Sequence, residues 1–226
     1  MRLFLFSMCL LGACIGKDYM WLLNVELDSQ CFTEIEGHIF SSNEKLPSYF
    51  EQLLRDHPEI QTIGEIGFNA GHSSLAFLQA RDDIHVYSFD IMDHEYAKVG
   101  RDLIKMICPE RFRLIEGDSR ITVPLFYREN PELKFDLIFI DGDHSLFSVL
   151  ADIRNMNPFS HMNTILVLAG AQPGSRVDYA LQTCLRREIL ADDELFSSSF
   201  PERHAEKAWV QCRYTRAGKV WKKPIR

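Results

Sequence analysis

"GEIGFNAGHSS", Gly64 to Ser74, decides how the rest of this sequence is read. An apolar run leads into it, a helical pattern leaves it, and Gly67 and Gly71 bracket Asn69. That is the form of a turn from a strand into a helix, at the strand end where open α/β sheets bind their ligands. A dinucleotide loop needs G-x-G-x-x-G, so that backbone amides and a helix N-terminus face a pyrophosphate. Here Asn69 takes the place of the middle glycine, and Glu65 would repel phosphate. A ligand with a cationic or zwitterionic end fits better, since Glu65 can meet its positive charge.

Outward from this loop, the chain alternates helical and strand-like segments, as an α/β fold with a mainly parallel sheet requires. A helix is expected over Pro47 to His57, opened by its proline and closed before Pro58. "IQTIGEIG" reads as the first strand, Ser73 to Ala80 as a helix, and Ile84 to Asp90 as the second strand. The next helix, "EYAKVGRDLIKMI", places Tyr96, Val99, Leu103 and Met106 on one face. "RFRLIEGD" is a third strand, with Ser119 positioned to cap a short helix. "KFDLIFID" is a fourth, buried strand, followed by a helix with Leu146, Val149, Leu150 and Ile153 at i, i+3, i+4, i+7 spacing. "TILVLAG" is a fifth strand and "SRVDYALQTCLRREI" a further helix. "ELFSSSF" and "AWVQCRYT" then read as two late strands able to form an antiparallel pair.

The strand ends carry the chemistry. The first gives Glu65, Gly67, Asn69 and Gly71, and the second Asp90. The third gives Asp118 and Ser119, the fourth Asp141, Asp143 and His144, and the fifth Ala169 and Gly170. Carboxylates gathered at one edge repel one another and resist desolvation unless a ligand or hydrogen-bond donors meet them. Asp90 is placed to accept from both hydroxyls of a ribose. S-adenosylmethionine combines the features this edge asks for: an ammonium, a sulfonium, a ribose and no phosphate.

"EIGFNAGHSS", "YSFDIMDHEY", "LIEGDSRITVP" and "FDLIFIDGDHSLFSVLADI" resemble successive motifs of class I S-adenosylmethionine-dependent methyltransferases. The likeness is strongest to the subgroup whose fourth strand ends in Asp-Gly-x-His, and it spans roughly residues 35–215. It implies a Rossmann-like, seven-stranded, mainly parallel sheet with helices on both faces and an antiparallel last strand. It also implies that Glu65, Gly67, Asn69 and Gly71 line the amino-acid part of the cofactor, and that Asp90 binds the ribose. Asp118 and Ser119 would lie beside the adenine, and Asp141 would face the methionine and the reactive methyl.

A hydroxyl nucleophile must lose its proton to a base or to a metal that lowers its pKa. His144, three residues beyond Asp141, is the base candidate, with Asp143 as its orienting partner or a helix cap. Related catechol-type enzymes hold a divalent ion with the fourth-strand Asp and an acidic pair after the fifth strand. Ala169-Gly170 stands at that pair's position and offers no side-chain oxygen, so no catalytic metal is expected. The expected function is O-methylation of a small molecule. A catalytically impaired cofactor-binding or interaction protein on the same fold is the alternative, and another nucleotide-using Rossmann-type enzyme ranks third.

Composition bounds the rest. The 226 residues, 46% apolar with 16 Phe, suffice for a large core. A net charge of -7 argues against a general nucleic-acid binder, which needs many Lys and Arg phosphate contacts. The layout read from the sequence is a hydrophobic segment at 1–16, a lead-in at 17–46, a methyltransferase-like domain at 47–215 and a basic tail at 216–226. "MRLFLFSMCLLGACIG" has the length of a signal-peptide core, and "LGAC" resembles a lipobox. A secreted or membrane-anchored location follows if that segment is a targeting signal, a cytoplasmic one if it is not, and membrane contact is expected only through it. The six cysteines show no zinc spacing and read as buried thiols.

Overall fold

The computed structural model describes residues 18–30, 32, 35, 45–192 and 209–220. Among these residues, seven strands and seven α-helices follow one another as α1 (Tyr19–Ser29), α2 (Lys45–Asp56), β1 (Thr62–Ile66), α3 (His72–Ala80), β2 (His85–Asp90), α4 (Glu95–Ile107) and β3 (Phe112–Glu116). Then come α5 (Ser119–Glu129), β4 (Leu137–Ile140), α6 (Leu146–Met156), β5 (Ile165–Ala169), α7 (Arg176–Arg186), β6 (Leu190–Asp192) and β7 (Trp209–Tyr214). The strands form one sheet in the order β3-β2-β1-β4-β5-β7-β6. β1 to β5 run parallel, and β7 is antiparallel to both β5 and β6.

Both faces of the sheet are covered, so the central strands are near-continuous apolar runs rather than alternating ones. β4 (LIFI) and β5 (ILVLA) are buried at every position. Alternate residues serve two cores. Ile63, Leu137, Phe139, Ile165 and Val167 pack with α1, α2, α3 and α4. Ile66, Ile138, Ile140, Leu166 and Leu168 pack with α5, α6 and α7. Phe50 stands edge-on to Phe77 and Phe139, with ring centroids 4.7 and 5.0 Å away, and locks α2 and α3 onto β4. At the antiparallel edge, the Tyr49 hydroxyl donates to Gln211 Oε1 at 2.9 Å, tying α2 to β7.

Several local expectations are corrected. α5 is capped by Asp118, whose side chain accepts from Arg120 N, and Ser119 is the first helical residue instead of the cap. The helix is also a full 11 residues, not short. On α4 the buried stripe is Tyr96, Ala97, Gly100, Leu103 and Ile104, while Met106 is 45% exposed. On α6 Leu146 is exposed, and the inward face runs through Val149, Asp152, Ile153 and Met156. β6 lies at Leu190–Asp192, directly after the expected helix and ahead of the strand read at "ELFSSSF". The strand read at "ELFSSSF" falls outside the described residues, as does the segment 1–16, read as a possible targeting signal. No helix among the described residues is long and apolar enough to cross a membrane.

Candidate active site

The parallel register brings the ends of β1, β2, β3, β4 and β5 to one edge. Three backbone bonds extend the ladder just past the strands: Gly67 N to Phe89 O at 2.9 Å, Gly117 N to Asp90 O at 2.7 Å, and Asp141 N to Ile66 O at 2.8 Å. The loop after β1 then turns sharply, with Gly67, Asn69 and Gly71 at φ of 98°, 52° and 91°. Gly67 is required there. A Cβ on it would lie 2.2 Å from the Asp141 carbonyl oxygen, so β1 and β4 could not end side by side. Behind the loop, a Cβ on Gly100 of α4 would lie 2.0 Å from the Ala70 carbonyl oxygen, and the helix backs directly onto the turn.

The edge opens into a cavity of about 560 Å³, within the range of roughly 300–1,000 Å³ common for cofactor sites. Gly67, Asn69, Asp90, Asp118, Ser119 and Asp141 all line it, and His144 stands there with them. Asp90 shapes the loop as well as the wall. Its Oδ2 accepts from Phe68 N at 2.8 Å and Asn69 N at 2.9 Å, and its Oδ1 from Met92 N at 2.7 Å. A carboxylate oxygen can accept two bonds, so Oδ1, which accepts one, keeps capacity for a ligand hydroxyl.

Glu65 differs from expectation: it is fully buried beneath the loop and does not reach the cavity wall. The hydroxyls of Ser73 and Ser74 donate to it from α3, and that of Ser88 on β2 donates at 2.6 Å. Burial pushes its carboxyl up to about 7 against the pull of those three hydroxyls, with Asp141 adding to the rise. Glu65 therefore fastens the start of α3 to β1 and β2. Gly71 is also behind the wall, as the left-handed cap of α3, where a Cβ would strike the Phe68 ring.

At the far side, Asp118 is paired with Arg120, Nη2 to Oδ2 at 2.5 Å, and this hydrogen-bonded ion pair lowers its carboxyl pKa. Ser119 Oγ donates at 2.7 Å to Asp152 Oδ1, a buried carboxyl on α6. Ser145 is the cap of α6, and Asp143 braces it: Asp143 accepts from Ser145 N at 3.0 Å, Ser145 Oγ at 2.8 Å and Ser148 Oγ at 2.7 Å.

His144 is held by Asp141 instead, Nε2 to Oδ1 at 3.2 Å, and remains half-exposed at the rim. The Asp141 hydrogen bond raises the imidazole above its ordinary pKa, opposed by partial burial and helped by the charges of Asp141 and Asp143. Its ring occupies the space over Gly170. A Cβ at residue 170 would lie 2.6, 2.8 and 3.1 Å from Cε1, Nδ1 and Nε2. The missing fifth-strand side chain and the position of the histidine are thus one feature.

Sequence reasoning overlooked His72, His94 and Tyr96, which also line the cavity. His72 Nε2 is 3.0 Å from Asn24 Oδ1, linking α1 to the site, and the His94 and Tyr96 rings stack with centroids 4.7 Å apart. "DHEY" lay inside a quoted motif, but nothing in its spacing marked the stacking. Asp152 was hidden as the polar member of an apolar helical stripe.

Residues 65–169 match the family model described as a methyltransferase domain. A comparison with curated proteins finds no match. Among solved structures, the chain superposes on the SAH-bound methyltransferase PaMTH1 of Podospora anserina with a TM-score of 0.63 and 16% identity, covering 85% of this chain and 87% of that one. The O-methyltransferase from Bacillus cereus in complex with SAH gives 0.62 and 16%, covering 79% and 84%. Cofactor-bound Rv0187 from MTB gives 0.64 and 16%, covering 92% and 96%. At such identities the likeness is one of fold. Residues 65–169 match a methyltransferase domain, and the strand order is that of a Rossmann-like methyltransferase fold. More narrowly, the fold is the one shared by the SAH-bound methyltransferases above, in keeping with S-adenosylmethionine as the cofactor.

The donor set suits that cofactor. Asp90, Asp118 and Asp141 supply acceptors, Ile66, Phe68, Phe89 and Ile91 supply apolar wall, and Arg120, the Lys or Arg on the described lining, is committed to Asp118. Such a wall favours a cationic, phosphate-free ligand over a dinucleotide.

Proposed function

We propose that this protein transfers a methyl group from S-adenosylmethionine to an oxygen of a small molecule, with His144 as the general base and no catalytic metal. The observation that carries this reading is His144 at the cavity rim, 3.2 Å from Asp141 and seated over Gly170. Bound S-adenosylmethionine supplies an electrophilic methyl on a sulfonium. What the chain adds is alignment of the acceptor and removal of its proton. In this reading Gly67, Asn69 and Asp90 hold the amino-acid and ribose parts, and Asp118 and Ser119 flank the base. Asp141 faces the methionine end and orients His144 Nε2.

The metal-free part of the proposal rests on Ala169 and Gly170, which have no side-chain oxygen to offer a hard cation. His144 takes the proton at the rim, where solvent can later receive it. The same pair favours a second reading, a binding protein on this fold that has lost turnover. Calorimetry with S-adenosylmethionine and with NAD tests the cofactor: binding of the first and not the second is expected, and failure of the first sinks both readings. Turnover of labelled cofactor in a cell extract then separates them. It is expected in the native protein and reduced on the order of 10²-fold or more in His144→Ala; equal, negligible turnover in both would favour the binding protein.

A further inference from the structure

Ser119 lines the cavity, but its hydroxyl proton points the other way. It is donated at 2.7 Å to Oδ1 of Asp152, which sits inside the α5–α6 contact with 1% of its surface exposed. A hydroxyl has one proton and two lone pairs. While that proton is committed to Asp152, Ser119 can offer a ligand only an acceptor.

We infer that Asp152 is a positioning residue that sets the hydrogen-bonding sense of Ser119, so that the wall accepts from an exocyclic amino group and discriminates against a carbonyl at the same place on the purine. The inference rests on the cofactor reading above, which sets the adenine beside Ser119. A site built to accept leaves its lone pairs facing another acceptor when the amine becomes a carbonyl. Mismatches of that kind cost more than lost apolar contact.

The groups around Asp152 make this arrangement sensitive to pH. Asp118 and Arg120 face it from the start of α5, and Asp143 faces it from the start of α6. From β7, the hydroxyl of Tyr214 donates to the neighbouring Ile153 carbonyl at 2.7 Å. Burial raises the Asp152 carboxyl to about 7, and Asp118 and Asp143 push the same way, while Ser119 and Arg120 oppose the rise. Above that range the carboxylate only accepts, and Ser119 is fixed as its donor. Below it the carboxyl carries a proton of its own, can donate to Ser119, and frees the Ser119 proton for the cavity.

The test is calorimetric binding of S-adenosyl-L-homocysteine and its deaminated analogue, S-inosyl-L-homocysteine, to the full chain at pH 8.0 and pH 5.8. The native protein is expected to prefer the adenosyl form by about tenfold or more at pH 8.0, and several-fold less at pH 5.8. Asp152→Asn can donate from its amide at either pH, so it should lower the preference several-fold and abolish its pH dependence. Ser119→Ala should lower it to the same level. An unchanged preference in Asp152→Asn at both pH values overturns the inference, and so does a pH-independent preference in the native protein. Should neither ligand bind the native protein, the cofactor reading falls first and this inference with it.

Discussion

Restoring one carbon at position 170 should displace the base. In Gly170→Ala the new Cβ would lie 2.6 Å from His144 Cε1 and 2.8 Å from Nδ1, where carbon contacts normally begin near 3.5 Å. The ring must retreat by about 1 Å, and its 3.2 Å bond to Asp141 cannot survive that shift. Residue 170 also has φ +74°, so alanine adds backbone strain of roughly 1 kcal/mol. Loss of the half-exposed Asp141–His144 pair adds no more than about 1 kcal/mol, because solvent screens it. The expected fall in unfolding free energy is therefore about 1–2 kcal/mol, within reach of urea titration. The decisive assay is an NMR titration of the His144 ring, assigned by its absence in His144→Ala. Its pKa, raised in the native protein, should drop toward the ordinary value of about 6.5. Turnover should fall by as much as roughly 10²-fold, as a misplaced catalytic group allows. In the His144→Ala background the same glycine change should cost only the backbone strain, and the double-mutant cycle isolates the difference. A native-like His144 pKa in Gly170→Ala would refute the argument.

Asp90→Ala removes the acceptor of three loop amides as well as a cavity acceptor. Both cofactor affinity, by on the order of 10²-fold, and stability, by about 2 kcal/mol or more, should fall together; calorimetry and urea melts that show only one loss would contradict that dual role. Glu65 keeps its proton to about pH 7 when folded but releases it near 4.5 when unfolded. Its contribution therefore drains stability as pH rises through that window, by up to about 1.4 kcal/mol per unit, and is constant above it. Glu65→Gln should flatten the stability profile between pH 5 and 7, and an unaltered slope would show that another group is responsible. Tyr49→Phe deletes the hydroxyl bonded to Gln211 across α2 and β7. A loss of about 1–2 kcal/mol without change in cofactor affinity is expected from paired melts and calorimetry.

Much of this molecule could be read from the chain because its central strands are buried on both faces. "LIFI" and "ILVLA" have few alternative fates, and the first ends in a polar break, Asp141 to His144, that marks the ligand edge. That Asp90, Asp118, Asp141 and His144 meet at one cavity was legible for that reason. Glu65 misled because position along a strand does not say which side of the sheet a residue faces. The alternation puts Glu65 in register with Ser88, under α3 and away from the cavity. Asp152 escaped notice since its partner, Ser119, lies 33 residues away in sequence and belongs to another helix. β6 was not read because "LAD" is too short to show strand alternation, and only pairing with β7 draws it out as a strand.

The contact between Gly100 and the Ala70 carbonyl has an evolutionary consequence. Most packed pairs can drift together, one side chain shrinking as its neighbour grows. Here one partner is a backbone oxygen, which every residue type carries, so no change at position 70 can make room at position 100. The glycine is therefore constrained alone for as long as the loop keeps its path. Among descendants of this sequence it should appear as a fixed position without covariation, set apart from the ligand motifs yet bound to their geometry.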